Sequence, residues 1–285
     1  MKKVFLVGIL FLVLRSVIIA QDFYRSELGV FIGTSYYLGD LNPSKHFLQS
    51  KLAYGIVYRY NITPRWALKV NAFLGKLEGD DAVSKANEDR NLRFRSHIFD
   101  FSTQIEFNFL PYITGDKQRL ISPYIFVGAS LFNFNPKAEL DEKLYSLQAL
   151  GTEGQGTTIP DTKKPYALTA FAIPFGIGVK VSPHRILSIG LEWGIRKTFS
   201  DYIDDVSTIY VDSTILAAEN TLAAAQLADR SLTNRGQHAG MERGNPKTKD
   251  WYVFTGLTVS FRIKGKHDLC AAYKQHPKIK FKYKD

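Results

Sequence analysis

The chain has 285 residues and a formal net charge of +10, with one cysteine and six histidines. The lone Cys270 excludes an internal disulfide framework and a multi-cysteine metal site. A basic balance is ordinarily read as nucleic-acid binding, but the amino terminus argues against that, because it reads as an export signal.

Lys2 and Lys3 precede an apolar run over residues 4–14; Arg15 interrupts the run, which resumes to Ala20. A short apolar run with a basic start predicts a signal peptide over residues 1–20, cleaved after Ala20. Ile18 stands where a smaller residue is usual, so an uncleaved anchor is the alternative. No later stretch has the ~20 apolar residues of a membrane-spanning helix. Barrel strands give a weaker hydropathy signal, so the remainder, residues 21–263, is judged by its period instead.

Eight stretches alternate with period two, the mark of strands with two unlike faces. The first is residues 27–37, with Leu28, Val30, Ile32, Thr34 and Tyr36 opposing Gly29, Phe31, Gly33 and Ser35. Turn formers follow from Gly39 to Pro43. The second, residues 52–60, and the third, residues 66–75, form a hairpin across Asn61-Ile62-Thr63-Pro64. In the third, Trp66, Leu68, Val70, Ala72 and Leu74 oppose Ala67, Lys69, Asn71, Phe73 and Gly75. Residues 76–91 are charged and without apolar period, and are expected to be a solvated loop.

The fourth stretch, residues 95–109, sets Phe99, Phe101, Ile105, Phe107 and Phe109 against Asp100, Ser102, Gln104, Glu106 and Asn108. After a turn over 110–120 comes the fifth, residues 123–134. Residues 135–164 are a long connection with a short helix expected near 142–150. The sixth (167–181) and seventh (186–198) flank the tight turn Ser182-Pro183-His184-Arg185. Residues 199–249 are the longest insertion, with a helix expected over 214–228, capped by Asp212 or Ser213. The eighth is residues 251–261, and a basic tail, residues 264–285, closes the sequence.

Connections after the odd-numbered strands are long and polar; those after the even-numbered strands are short. Outer-membrane barrels have long extracellular loops, short periplasmic turns and an even strand number. The expected fold is therefore all-β: an eight-stranded antiparallel transmembrane barrel in the outer membrane, with both termini periplasmic and lipid around its wall.

The expected lumen face carries many glycines and charges of both signs: Arg59, Lys69, Asp100, Glu106, Lys180, Glu192 and Arg196. Glycine weakens strands, so its concentration on one face makes room for large neighbours. Buried charges must pair, so a salt-bridged plug is expected rather than an open pore.

Ser96 and His97 are adjacent near the outer end of strand four, and so point to opposite faces, a poor start for a nucleophile and its base. Asp201, Asp204 and Asp205 could supply calcium ligands, but match no EF-hand spacing and are expected in a solvated or capping loop. The histidines show no zinc spacing. Trp66, Trp193 and Trp251 fit interfacial aromatic girdles. No catalytic residue, metal or cofactor is assigned. The tail lysines Lys264, Lys266, Lys274, Lys278, Lys280, Lys282 and Lys284 form a candidate docking segment for an acidic periplasmic partner or anionic headgroups.

Four phrases together carry a family resemblance: Ser35-Tyr36-Tyr37-Leu38-Gly39-Asp40-Leu41-Asn42, Gly151-Thr152-Glu153-Gly154-Gln155-Gly156, the run from Arg196 to Ser207, and Asp250-Trp251-Tyr252-Val253-Phe254. They resemble the PorG-like outer-membrane barrels of the Bacteroidota type IX secretion system. The resemblance implies a non-enzymatic barrel associated with a periplasmic ring built from a lipoprotein and its partner, which it would anchor or position. It implies no cofactor. A passive barrel, as scaffold or narrow channel, and a rim enzyme acting on lipid or peptide are the alternatives.

Overall fold

The computed structural model describes residues 25–160, 162 and 164–263. The expected signal peptide and the basic tail lie outside the described residues. In chain order the strands are β1 (Ser26–Leu38), β2 (Lys51–Asn61), β3 (Trp66–Asp80), β4 (Arg93–Asn108), β5 (Ile121–Phe134), β6 (Lys137–Leu140), β7 (Lys143–Ser146), β8 (Thr169–His184), β9 (Leu187–Thr198) and β10 (Trp251–Ile263). The helices are α1 (Asp81–Ser84), α2 (Leu147–Leu150), α3 (Ser213–Glu219) and α4 (Leu222–Ala228).

Eight long strands close into a barrel. Each of β1, β2, β3, β4, β5, β8, β9 and β10 pairs antiparallel with the next, and β10 returns to β1. Closure leaves no unpaired edge, which hydrocarbon would not tolerate. The β5–β8 ladder breaks between Val127↔Phe175 and Ser130↔Ala172. Pro174 lies in that gap and has no N–H to give.

The barrel is inside out by the standard of a soluble protein. Its outer wall exposes Ile32, Leu52, Ile56, Phe101, Ile105, Phe171, Ile177 and Leu257, while Arg59, Lys69, Glu106, Lys180 and Arg196 are buried within. Apolar side chains outside and charges inside are what a lipid solvent selects. No described helix is long and apolar enough to cross a membrane. The eight barrel strands run 11 to 16 residues. About 9–11 suffice to cross the hydrocarbon, so several project beyond it.

The four long connections gather at one end as a single lid. Arg90 donates to the carbonyls of Arg243 (2.7 Å) and Asp40 (2.8 Å), and Arg243 pairs with Glu153 at 3.0 Å. Beneath these polar ties, Leu41, Leu77, Leu92, Leu147, Ile203, Val206 and Leu227 are buried in one apolar cluster.

The lid departs from the sequence expectation in three places. β3 continues to Asp80, and α1 follows, where a solvated loop was expected. The strand here runs up under the lid: Leu77 and Gly79 are buried inward, and Lys76 faces solvent. The apolar–polar parity therefore reverses and the amphipathic period disappears. Second, most of the helix expected over 142–150 is the β6–β7 hairpin, leaving only the single turn α2. Third, the helix over 214–228 is two helices, because Asn220 leaves helical geometry and Thr221 starts a new cap, accepting from the Ala224 N–H. Asp212 caps the first, accepting from Thr214 and Ile215.

Candidate functional site

The alternation of β2, β3, β4, β8 and β9 brings Arg59, Lys69, Glu106, Lys180 and Glu192 into one buried network. Glu106 is its hub. It accepts from Arg59 Nε at 3.0 and 3.1 Å and from Lys180 Nζ at 2.7 Å, and Lys69 Nζ lies 3.4 Å away. Lys69 also bonds Glu192, which Tyr124 holds at 2.9 Å. β3 and β9 stand opposite each other in the closed cycle, so the Lys69–Glu192 bond crosses the lumen. A second crossing lies nearer the lid: Tyr252 of β10 donates to Asp100 of β4 at 2.7 Å. Ser130 donates to the same oxygen, Asp100 Oδ2, at 2.5 Å, and Arg196 Nε stands 3.9 Å from it. The Arg196 guanidinium also lies over the Phe254 ring at 4.8 Å. All seven sequence-assigned charges thus face the lumen, in two linked groups rather than one.

Sequence reasoning missed Glu27. It pairs with Arg59 at 2.8 Å and accepts from Asn61, Thr114 and Ser260. Parity held the signal, since Glu27 precedes Gly29 and Phe31 on the inward face. With Glu27 the lumen holds four cations and four carboxylates, and is neutral. The turn expected over 110–120 was also under-read. Tyr112 and Thr114 fold back into the barrel mouth, where Tyr112 donates to Ser188 at 2.6 Å.

The inward glycines make room for large rings. A Cβ on Gly178 would fall 2.4 Å from the Tyr124 ring, and one on Gly194 would fall 2.7 Å from both Phe126 and Arg196. Lys69 in turn lies 4.3 Å from the Phe126 ring centre. Large side chains thus occupy the space that the inward glycines leave.

The aspartates expected in a solvated or capping loop are buried: Asp201, Asp204 and Asp205 expose 5%, 1% and 0% of their surface. Lid hydrogen bonds account for this. Asp204 accepts from the Val206 N–H and Asp201 from Ser207; Asp205 accepts from Tyr166 at 2.7 Å and from Thr152. Burial pushes Asp205 up to about 6, against the pull of Arg243. Tyr37 OH stands 2.5 Å from Asp204 and 3.0 Å from Asp250. One phenolic hydrogen is shared between the two carboxyls, an arrangement that favours a proton on one of them. Burial raises both well above the ordinary range, helped by repulsion from Asp40 at Asp204 and from Asp204 at Asp250. Among the described residues no group of three His, Cys, Asp or Glu side chains is placed to hold a metal ion.

Ser96 is buried and accepts from the Asn135 N–H at 2.9 Å, while His97 is exposed on the outer wall. The two diverge, as parity requires. Trp66 and Trp251 stand at opposite strand ends, as girdle residues would; Trp193 donates to Tyr36 OH at 3.0 Å. The tail lysines fall outside the described residues.

No curated protein matches the sequence. Among solved structures, the chain is similar to Ail, the attachment invasion locus protein of Yersinia pestis, in complex with the heparin analogue sucrose octasulfate. Identity is 9%, with 84% of this chain and 98% of that one covered and a TM-score of 0.41. It is also similar to the N-terminal β-barrel domain of Pseudomonas aeruginosa OprF (12% identity, 85% and 98% covered, TM-score 0.38). A third is Neisserial surface protein A (7% identity, 84% and 97% covered, TM-score 0.40). A family model matches residues 2–217, more than half of the chain, which therefore belongs to the family described as Domain of unknown function (DUF6089).

Proposed function

We propose that the protein is a non-enzymatic outer-membrane barrel that anchors or positions the periplasmic ring of the type IX secretion system. Its lid would face outside and its termini the periplasm. The observation that carries this reading is the lumen crossed by Lys69–Glu192 and Tyr252–Asp100. A barrel so filled offers its two ends and its wall for work, not its interior. The sequence phrases from Ser35 to Asn42 and from Arg196 to Ser207 add the link to secretion. The seven tail lysines, from Lys264 to Lys284, supply a cationic contact for an acidic ring surface.

The test compares the full chain with one lacking residues 264–285, both shown to insert as heat-modifiable barrels. Ring lipoprotein and its partner should co-purify with the full chain and be lost with the truncation. Their absence from the full-chain preparation would refute the proposal, and equal recovery would remove the tail from it. Orientation is tested separately: a membrane-impermeant thiol reagent should leave Cys270 unlabelled in intact cells.

A further inference from the structure

The outer wall near the lid carries a ladder of cross-strand pairs between β3 and β4. Moving outward from the membrane, Leu74 faces Phe99, Lys76 faces His97, Glu78 faces Arg95 and Asp80 faces Arg93. The first rung is apolar and the last two are complementary. The Lys76–His97 rung joins a cation to a residue that becomes one when protonated, and like charges directly opposite are destabilising. Their nearest acidic rung is already engaged: Glu78 pairs with Lys51 at 2.8 Å, and Arg95 pairs with Glu139 at 2.8 Å. Among the described residues neither Lys76 nor His97 forms an ion pair. Both are exposed.

Directly below, a groove of about 490 Å³ runs over the wall between Leu52, Tyr54, Leu74 and Phe99, with Lys76 and His97 at its outer lip. An apolar channel capped by uncompensated donors complements an anionic amphiphile: acyl chain in the groove, anion at the rung. Opposite residues on a sheet face stand ~5 Å apart at Cβ, close enough for one phosphate to accept from both.

We propose that this groove binds a phosphorylated glycolipid of the outer leaflet, with the lipid phosphate bridging Lys76 Nζ and the His97 ring N–H. The leaflet assignment rests on the orientation given under Proposed function; the binding chemistry does not. The full-length chain in detergent micelles is titrated with lipid A and with the same lipid A after enzymatic removal of its phosphates, bound lipid being counted by native mass spectrometry. The phosphorylated form should bind about tenfold more tightly, the worth of one charge-assisted hydrogen bond. Lys76→Gln/His97→Gln should lose that preference, whereas Arg65→Gln, at the opposite end of β3, should keep it. Equal binding of the two lipids by the unaltered chain would overturn the proposal. So would a double variant that retains the preference while showing the mobility of a folded barrel. Orientation is decided by Cys270 labelling and not by this titration, so the two fail independently.

Discussion

Replacing Glu106 by glutamine tests the lumen network at its hub. Three cations touch Glu106, but they do not depend on it equally. Arg59 keeps Glu27 at 2.8 Å, and Lys69 keeps Glu192. Among the described residues Lys180 forms one ion pair, with Glu106 at 2.7 Å, and it is fully buried. Glu106→Gln therefore strands one buried ammonium. Breaking a buried pair from one side costs about 3–5 kcal/mol; glutamine preserves volume and one acceptor oxygen, which favours the lower figure. Lys180→Met should cost less, because Glu106 retains Arg59 and Lys69. The double variant should lie well above the sum of the singles, since it removes the stranded charge with its former partner. The assay is urea unfolding of the full chain in lipid vesicles, followed by tryptophan fluorescence. An unfolding free energy within about 0.5 kcal/mol of the parent for Glu106→Gln would refute the reasoning, because it would mean that no stranded charge remains at Lys180.

The same network predicts closed behaviour in planar bilayers: the unaltered chain should give no stable ion-conducting steps, and discrete steps would contradict a filled lumen. Gly178→Val places a branched side chain where a Cβ already meets the Tyr124 ring at 2.4 Å. It should destabilise by about 1–3 kcal/mol as overpacking, and unchanged urea unfolding would show that the ring has room to move. The lid should respond to pH. For Asp204, Asp205 and Asp250 burial raises the folded-state value above the ~3.9 of an unfolded aspartate. The folded lid then binds more protons than the unfolded one, so its stability falls as pH rises from about 4 through 6. Corrected for the base-catalysed intrinsic rate, the hydrogen-exchange protection of residues 199–250 should be higher at pH 5 than at pH 8, and Asp204→Asn/Asp250→Asn should flatten that difference. Lower protection at pH 5 would reverse the sign and the argument.

The membrane-spanning part of each strand was legible because lipid and lumen impose opposite demands on alternate residues. That contrast places Arg59, Lys69 and Lys180 inward from sequence alone. It also places Glu27 inward, at the first residue of the first expected strand. The contrast stops at the hydrocarbon edge. Above it the outer face meets water and the inner face meets the apolar underside of the lid, so Lys76 to Asp80 continue as strand without an amphipathic signature. Tyr112 and Thr114 were not legible as plugs, because a turn has no period to mark which way its side chains fold. Asp201, Asp204 and Asp205 looked solvated for a similar reason. Their burial depends on donors far away in sequence, such as Tyr166 for Asp205 and Tyr37 for Asp204.

The two polar interiors of this molecule are built differently, and the difference assigns them different capacities. In the lumen, cations and carboxylates balance, and most carboxylates have several partners. Such a network has no low-cost alternative state, since moving one charge strands another. In the lid, Asp81, Glu153, Asp204, Asp205 and Asp250 are buried, and among the described residues the buried guanidiniums paired with this set are Arg90 and Arg243. Burial raises Asp204, Asp205 and Asp250 above the ordinary carboxylate range, so protonation eases that imbalance. A change in pH or a cationic contact at the surface therefore acts on the lid before it can reach the barrel. The lumen fixes the scaffold; the lid and the outer wall are the parts whose state a partner or a lipid is able to change.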